Sequence, residues 1–150
     1  MEPITKTSHL PLTRTVTLEL LDDEGGTKPV PAELSYDRND PFAVSLLIGD
    51  ADHSVTWTCS RELISEGLHE PRGDGDVHVW PCLNEKGHAI VLIELSSPDG
   101  GALLQANPRE IMNFLTMSHC VIAPGEESAH IDVDAVIEAI LAAEQPNPGV

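Results

Sequence analysis

Apolar and polar residues alternate along most of this chain. From Thr13 to Leu21, Val16, Leu18 and Leu20 fall on one side and Thr15, Thr17 and Glu19 on the other, the two-residue repeat of a strand with one buried face. Asp22–Gly26 has the residues of a turn, and the alternation resumes through Val30, Ala32, Leu34 and Tyr36. A third strand is predicted over Phe42–Ile48, with Val44, Leu46 and Ile48 on one face. After the polar loop Gly49–Ser54, a fourth covers Val55–Cys59, with Val55, Trp57 and Cys59 inward. Pro71–Asp76 reads as a turn, and Gly73-Asp74-Gly75-Asp76 suits a hairpin. Val77–Cys82 and Ala89–Leu95 are further strands. The second is apolar on both faces for most of its length and is expected at the centre of a sheet. Ser96–Gly101 turns the chain into a short strand, Ala102–Ala106.

The period changes to that of a helix in three places. Ser60 can cap a short helix over Arg61–Glu66, and Gly67 suits its end. Asn107-Pro108-Arg109-Glu110 is a stronger start signal. Asn107 is the N-cap, Pro108 fits the first helical position, and Glu110 is placed to reach back in a capping box. Ile111, Phe114 and Leu115 then form the buried stripe. Pro124–Ser128 is a loop, and Asp132 or Asp134 starts a last helix through Glu144, with Val136, Ile137, Ile140 and Leu141 on its apolar face. The total is about seven strands, one short helix and two C-terminal helices. This is an α+β domain of antiparallel β-sheets with helices at one end. It spans residues 13–144, between a flexible N-terminal extension (1–12) and a flexible tail (145–150) that both lack periodicity.

Charge narrows the range of functions. Asp and Glu number 25 against 8 Lys and Arg, a formal net charge of −17, and the excess runs through both halves of the chain. The bases stand singly, with no basic patch to displace counterions from phosphates, so nucleic acid is not the expected partner. An anionic membrane surface would repel the chain for the same reason, and no apolar run approaches the ~20 residues that span a bilayer. No basic-then-apolar leader is visible in residues 1–15. Cys59, Cys82 and Cys120 are an odd set without CxxC spacing, which fits reduced thiols in a cytoplasm.

Candidate chemistry is sparse. The seven histidines are scattered, and the only close pair of metal-ligand type, His119-Cys120, would point to opposite faces of a strand. No metal site and no cofactor are expected. Cys59 and Cys82 occupy strand positions where a small apolar side chain is the ordinary tenant, so a cysteine hydrolase is a distant reading. Gly73-Asp74-Gly75-Asp76 lacks the Gly-Lys-Ser/Thr of a phosphate loop. Trp80 differs from Trp57. Val77 and Val79 take one face of their strand, leaving Trp80 with Asp76 and His78 on the other. That face is either a partner surface, which large aromatics favour, or lies under a helix. Arg61, beside the Trp57 strand, is the other candidate for partner binding.

A series of motifs resembles a known family. Pro29-Val30-Pro31-Ala32-Glu33-Leu34-Ser35-Tyr36-Asp37 is followed by Asp40-Pro41-Phe42-Ala43-Val44, then by Trp57 with Arg61-Glu62-Leu63 and Gly67-Leu68. Gly73-Asp74-Gly75-Asp76-Val77-His78-Val79-Trp80-Pro81 comes next, then Leu95-Ser96-Ser97-Pro98-Asp99-Gly100 with Ala102-Leu103-Leu104. In this order and spacing they resemble the SsgA-like family of actinobacterial sporulation and cell-division proteins, most of all its SsgB branch, over about residues 14–142. The resemblance implies a Whirly-like fold of antiparallel sheets packed with helices. It also implies a homo-oligomer, with a trimer favoured, and no catalytic residues. The implied role is that of a cytoplasmic, non-enzymatic adaptor at division septum sites, which helps position septa by recruiting the tubulin-like division protein FtsZ, with SsgA-like paralogues as further partners. A Whirly-like fold raises one alternative, a single-stranded nucleic-acid-binding protein. That needs a basic groove and stacking aromatics. The chain has no basic cluster and only five aromatics, Tyr36, Phe42, Trp57, Trp80 and Phe114, so the charge favours the adaptor.

Overall fold

The structure, a computed structural model, describes residues 10–131 and 133–144. In chain order its elements are β1 (Leu12–Leu21), β2 (Thr27–Tyr36), β3 (Ala43–Gly49), β4 (Ser54–Ser60), α1 (Arg61–Gly67), β5 (Arg72–Asp74), β6 (Val77–Leu83), β7 (Ala89–Ser97), β8 (Gly100–Ala106), α2 (Pro108–Val121), a single 3-10 turn (Glu127–His130) and α3 (Val133–Glu144). The α+β class and the helix order agree with the expectation. The proposed extension and tail, and Asp132, lie largely or wholly outside the described residues.

Two antiparallel meanders, β1–β4 and β5–β8, make one sheet in the order β4-β3-β2-β1-β8-β7-β6-β5. The antiparallel sheet agrees with the expectation, and its strands number eight where about seven were expected. The eighth, β5, is a three-residue strand in the predicted turn Pro71–Asp76, and its Arg72, Gly73 and Asp74 carry no apolar alternation to reveal it. The hairpin reading of Gly73–Asp76 stands, since Asp74 pairs with Val77 across Gly75 and Asp76. β1 joins the meanders. It pairs along its full length with β2, but with β8 only through Leu18, Glu19 and Leu20. Where β1 leaves β8, α2 supplies the missing partner: the Thr17 N–H donates to Glu110 Oε1 at 3.0 Å. Glu110 thus grips the sheet instead of closing the predicted capping box. Asn107 still caps α2, accepting the Arg109 N–H at 2.8 Å.

The sheet curls until its two ends face each other. Val44, Leu46 and Trp57 from one meander and Val77, Ile93 and Leu95 from the other line a single void of about 20 Å³. This inner face holds the core. Val16, Leu18, Leu34, Val79 and Leu104 are buried there with Ile64 of α1 and Ile111, Phe114 and Leu115 of α2, so the two helices plug the inside of the curl. β7 is not a central strand of a flat sheet, but its inward Val91, Ile93 and Leu95 and its outward Leu92 are all buried, as its two-sided apolarity suggested. The β3–β4 hairpin is closed tightly at Gly49, whose φ of +116° and close approach to the His53 carbonyl exclude a side chain.

α1 is placed by both ends. The Ser60 hydroxyl accepts the Leu63 N–H at 2.9 Å, and Gly67 lies against the Val79 side chain with no space for a Cβ. Gly67→Ala is therefore expected to lower stability by about 1–3 kcal/mol, the usual cost of overpacking a close contact. Thermal denaturation followed by circular dichroism checks this; an unchanged melting temperature would mean that α1 is free to lift from β6.

Candidate functional site

Arg61, expected on the surface, is 2% exposed. It opens α1, where its N–H bonds the Phe42 carbonyl at 2.7 Å, and its side chain turns inward. The guanidinium stacks 4.6 Å from the centre of the Tyr36 ring. One nitrogen donates to the Ser118 carbonyl at 3.0 Å and to its hydroxyl at 3.4 Å, and the other makes a 2.8 Å ion pair with Glu127. The partners are themselves held. Tyr36 donates to the Pro41 carbonyl at 2.7 Å, Ser118 to the Leu115 carbonyl at 2.7 Å, and Glu127 accepts the Gly125 N–H at 2.9 Å. Arg61 hydrogen bonding holds the Glu127 carboxyl below its ordinary range, and burial raises the Tyr36 hydroxyl. Arg61 is thus neither a solvated side chain nor a free contact: it ties β2, α1, α2 and the 3-10 turn together.

A cleft of about 400 Å³ opens beside this network, lined by Phe42, Glu62, Glu66, His119, Pro124 and Glu127. Burial and then the nearby Arg61 charge lower the His119 pKa, so the ring is neutral at pH 7. His119 and Cys120 stand in the last turns of α2, not on a strand. Phe42 is 48% exposed at the mouth. Neither Phe42 nor Glu127 was marked by the sequence. Phe42 reads as a strand residue, and Glu127 sits in a polar loop with no spacing relation to Arg61.

Trp80 is placed as the alternation indicated, on the outer face of β6, half-buried. α1 and α2 pack on the inner face, so neither lies over it. The register sets Trp80 beside Leu92, which is beside Gln105, and that beside Glu19, in one row across β6, β7, β8 and β1. The adjacent row is His78, Glu94 and Leu103, with His78 Nδ1 3.9 Å from Glu94 Oε1. Leu92 is only 8% exposed although it points outward. The result is an apolar strip of Trp80, Leu92 and Leu103 bordered by carboxylates. The structure does not bring Trp80 and Arg61 to one site: they lie on opposite faces of the sheet.

The cysteines divide differently from the expectation. Cys59 packs against the core, where burial, with the Asp74 charge, pushes its thiol up to about 11. Cys82 is exposed on the outer face, because it continues the Trp80 parity and not that of Val77 and Val79. Among the described residues no group of three or more His, Cys, Asp or Glu is arranged to hold a metal ion, and no helix is long and apolar enough to cross a membrane.

A curled antiparallel sheet plugged by two helices, with an acidic surface, is the class of domain these observations define. Comparison with known proteins assigns it. The profile described as "Streptomyces sporulation and cell division protein, SsgA" matches residues 30–127. The chain is 43% identical to the sporulation-specific cell division protein SsgB of Streptomyces coelicolor over 126 residues, covering 83% of this chain and 91% of that one. It is 39% identical to the SsgB of Kineococcus radiotolerans over 127 residues, covering 84% and 77%. Among solved structures, an SsgB studied for longitudinal division during sporulation of S. coelicolor superposes with TM-score 0.75 at 41% identity, over 83% of this chain and all of that one. The SsgA-like sporulation-specific cell division protein of Thermobifida fusca gives 0.78 at 33% identity, over 90% and 98%. The chain belongs to the SsgA family of sporulation and cell-division proteins.

The Arg61–Glu127 pair has a pH signature. A carboxyl whose folded pKa is depressed contributes stability that is complete above its unfolded value, near 4.5, and is lost as pH falls through the lower folded value. Urea melts over an acidic pH series should show wild type losing more stability on acidification than Glu127→Gln, with the two curves drawing together at the acid end. Parallel curves would show that the pair is not coupled to folding.

Proposed function

We propose that this chain is a non-enzymatic adaptor of sporulation-linked cell division, acting in the cytoplasm at division sites and helping to position septa by recruiting the tubulin-like protein FtsZ. Membership of the SsgA family supports the setting. The observation that carries the binding reading is the outer sheet face, where Trp80 stands half-buried with Leu92 and Leu103 among carboxylates and beneath neither plugging helix. An aromatic of large area with a directional N–H, set in a partly desolvated patch, has the character of an interface anchor. Arg61 enters this reading indirectly. It holds the Pro124–His130 segment and the wall of the Phe42 cleft, so its removal would deform a surface without removing a contact. The net charge of −17 favours protein partners, SsgA-like paralogues included, over nucleic acid.

Trp80→Ala is expected to weaken binding to purified FtsZ by about 1–3 kcal/mol, roughly 5- to 150-fold, while the melting temperature stays within a few degrees of wild type. Arg61→Ala should lower the melting temperature clearly, because it strands Glu127 and the Ser118 carbonyl. Co-sedimentation with FtsZ polymers and thermal melts are the measurements. Normal FtsZ binding by Trp80→Ala would remove this face from the proposal.

Assembly belongs to the same reading. Ile137, Ile140 and Leu141 of α3 are all exposed, an apolar stripe that a homo-oligomer, with a trimer favoured, would cover. Light scattering should find a multiple of the 16.1 kDa chain, and Ile140→Glu should shift it toward monomer. A monomer at every concentration would overturn this.

A further inference from the structure

Among the described residues β4 ends the sheet: it pairs with β3 on one side and with no strand on the other. The ladder decides which backbone groups this leaves over. At one end Asp50 N–H donates to the His53 carbonyl at 3.0 Å, and at the other Arg61 N–H donates to the Phe42 carbonyl at 2.7 Å. Antiparallel pairs alternate between bonded and non-bonded. Stepping inward from either end through the register, Val55, Trp57 and Cys59 aim their N–H and C=O groups at β3. Ser54, Thr56 and Thr58 aim theirs away from the sheet. Exposed edges are normally blunted by charge, proline, a bulge or brevity. β4 runs seven residues, Ser-Val-Thr-Trp-Thr-Cys-Ser, with neither charge nor proline.

An open cleft of about 510 Å³ adjoins the Ser54–Trp57 half of this edge. Val55, Trp57 and Ile48 form one wall and Leu95, Ala102 and Leu104 the other. Gly100 and Gly101 continue the far wall without side chains to fill it. Val55 is 56% exposed. The charge among the residues that line the cleft is negative. Asp99 lines it, Asp50 and Asp52 occupy the turn that leads into β4, and neither Lys nor Arg is among the lining residues.

We propose that the β4 edge and this cleft are a docking site for an extended segment of a partner protein, which adds as a ninth strand, setting apolar side chains into the cleft at alternate positions and carrying Lys or Arg between them. The outward N–H and C=O groups of Ser54, Thr56 and Thr58 supply the main-chain bonds. The cleft selects the apolar parity, and Asp50 and Asp52 in the turn that leads into β4 favour the basic residues between. A second copy of this chain is a poorer occupant, since it would bring the same aspartates to the same rim. The site lies on the edge and inner side of the curl while Trp80 lies on the outer face, so it stands or falls separately from the FtsZ reading.

The test uses the full chain and a nine-residue, end-blocked peptide alternating Val and Lys. Fluorescence anisotropy should show saturable binding, and amide exchange should slow at Ser54, Thr56 and Thr58. Two N-methylated peptides, one methylated at every Lys and one at every Val, keep charge and composition but each remove one row of donors. One should lose at least tenfold in affinity and the other bind nearly as before. Loss at Lys indicates antiparallel addition and loss at Val parallel addition. Thr56→Pro removes an outward N–H that the β3–β4 ladder does not use, and should weaken binding at least tenfold without unfolding the chain. The methylated peptides read the edge on the unaltered protein even if that variant fails to fold. Trp80→Ala should bind the peptide as wild type does. No binding, equal binding of both methylated peptides, or slowed exchange at these amides that depends on protein concentration alone would each overturn the proposal, the last in favour of a second copy.

Discussion

A guanidinium taken out of water is tolerated only where its donors are used and its charge is matched, and Arg61 imposes that condition on the whole inner side of this domain. Its partners come from elements far apart in sequence: the Tyr36 ring, the Ser118 carbonyl and hydroxyl, and the Glu127 carboxylate. Each of them is held by a further bond, so none can move without exposing another polar group to a dry environment. Apolar packing of Ile64, Ile111 and Phe114 would hold α1 and α2 against the sheet in several similar poses. The directional bonds at Arg61 select one. They also fix the segment after α2, because Glu127 lies in the 3-10 turn that follows it.

Most strands were legible because they have one wet and one dry face, and two-residue alternation records that directly. Val16 and Leu18, Ala32 and Leu34, Val44 and Leu46, and Val77 and Val79 are buried as their parity indicated. β5 was not legible, because a short edge strand with no buried residue has no alternation to record. Long-range polar pairs escaped for a related reason. Glu110 has the spacing of a capping box, yet a stronger need, the N–H that Thr17 loses where β1 parts from β8, draws its carboxylate away. Nothing local joins Arg61 to Glu127, so a buried ion pair read as two surface charges. Parity placed Trp80 correctly, but parity alone does not say whether a helix covers a face. That depends on which side of the curl α1 and α2 fill, and one helix pair is enough to plug only the inside.

This division of faces bears on function. With the core and both plugging helices on the inner side, neither helix covers the outer face or the β4 edge of the curl. Acidic groups border both, Glu94 and Glu19 beside the Trp80 row and Asp99 beside the β4 cleft. A carboxylate rim around a small apolar area keeps a single chain soluble. It also lets the area be buried only by a partner that matches the rim in charge, and the mismatch with acidic surfaces costs more the more of the apolar area is covered. Selectivity then comes from repulsion as much as from contact. With eight bases against 25 acids, both surfaces disfavour nucleic acid and anionic lipid, and this follows from where bases are absent more than from any single residue present.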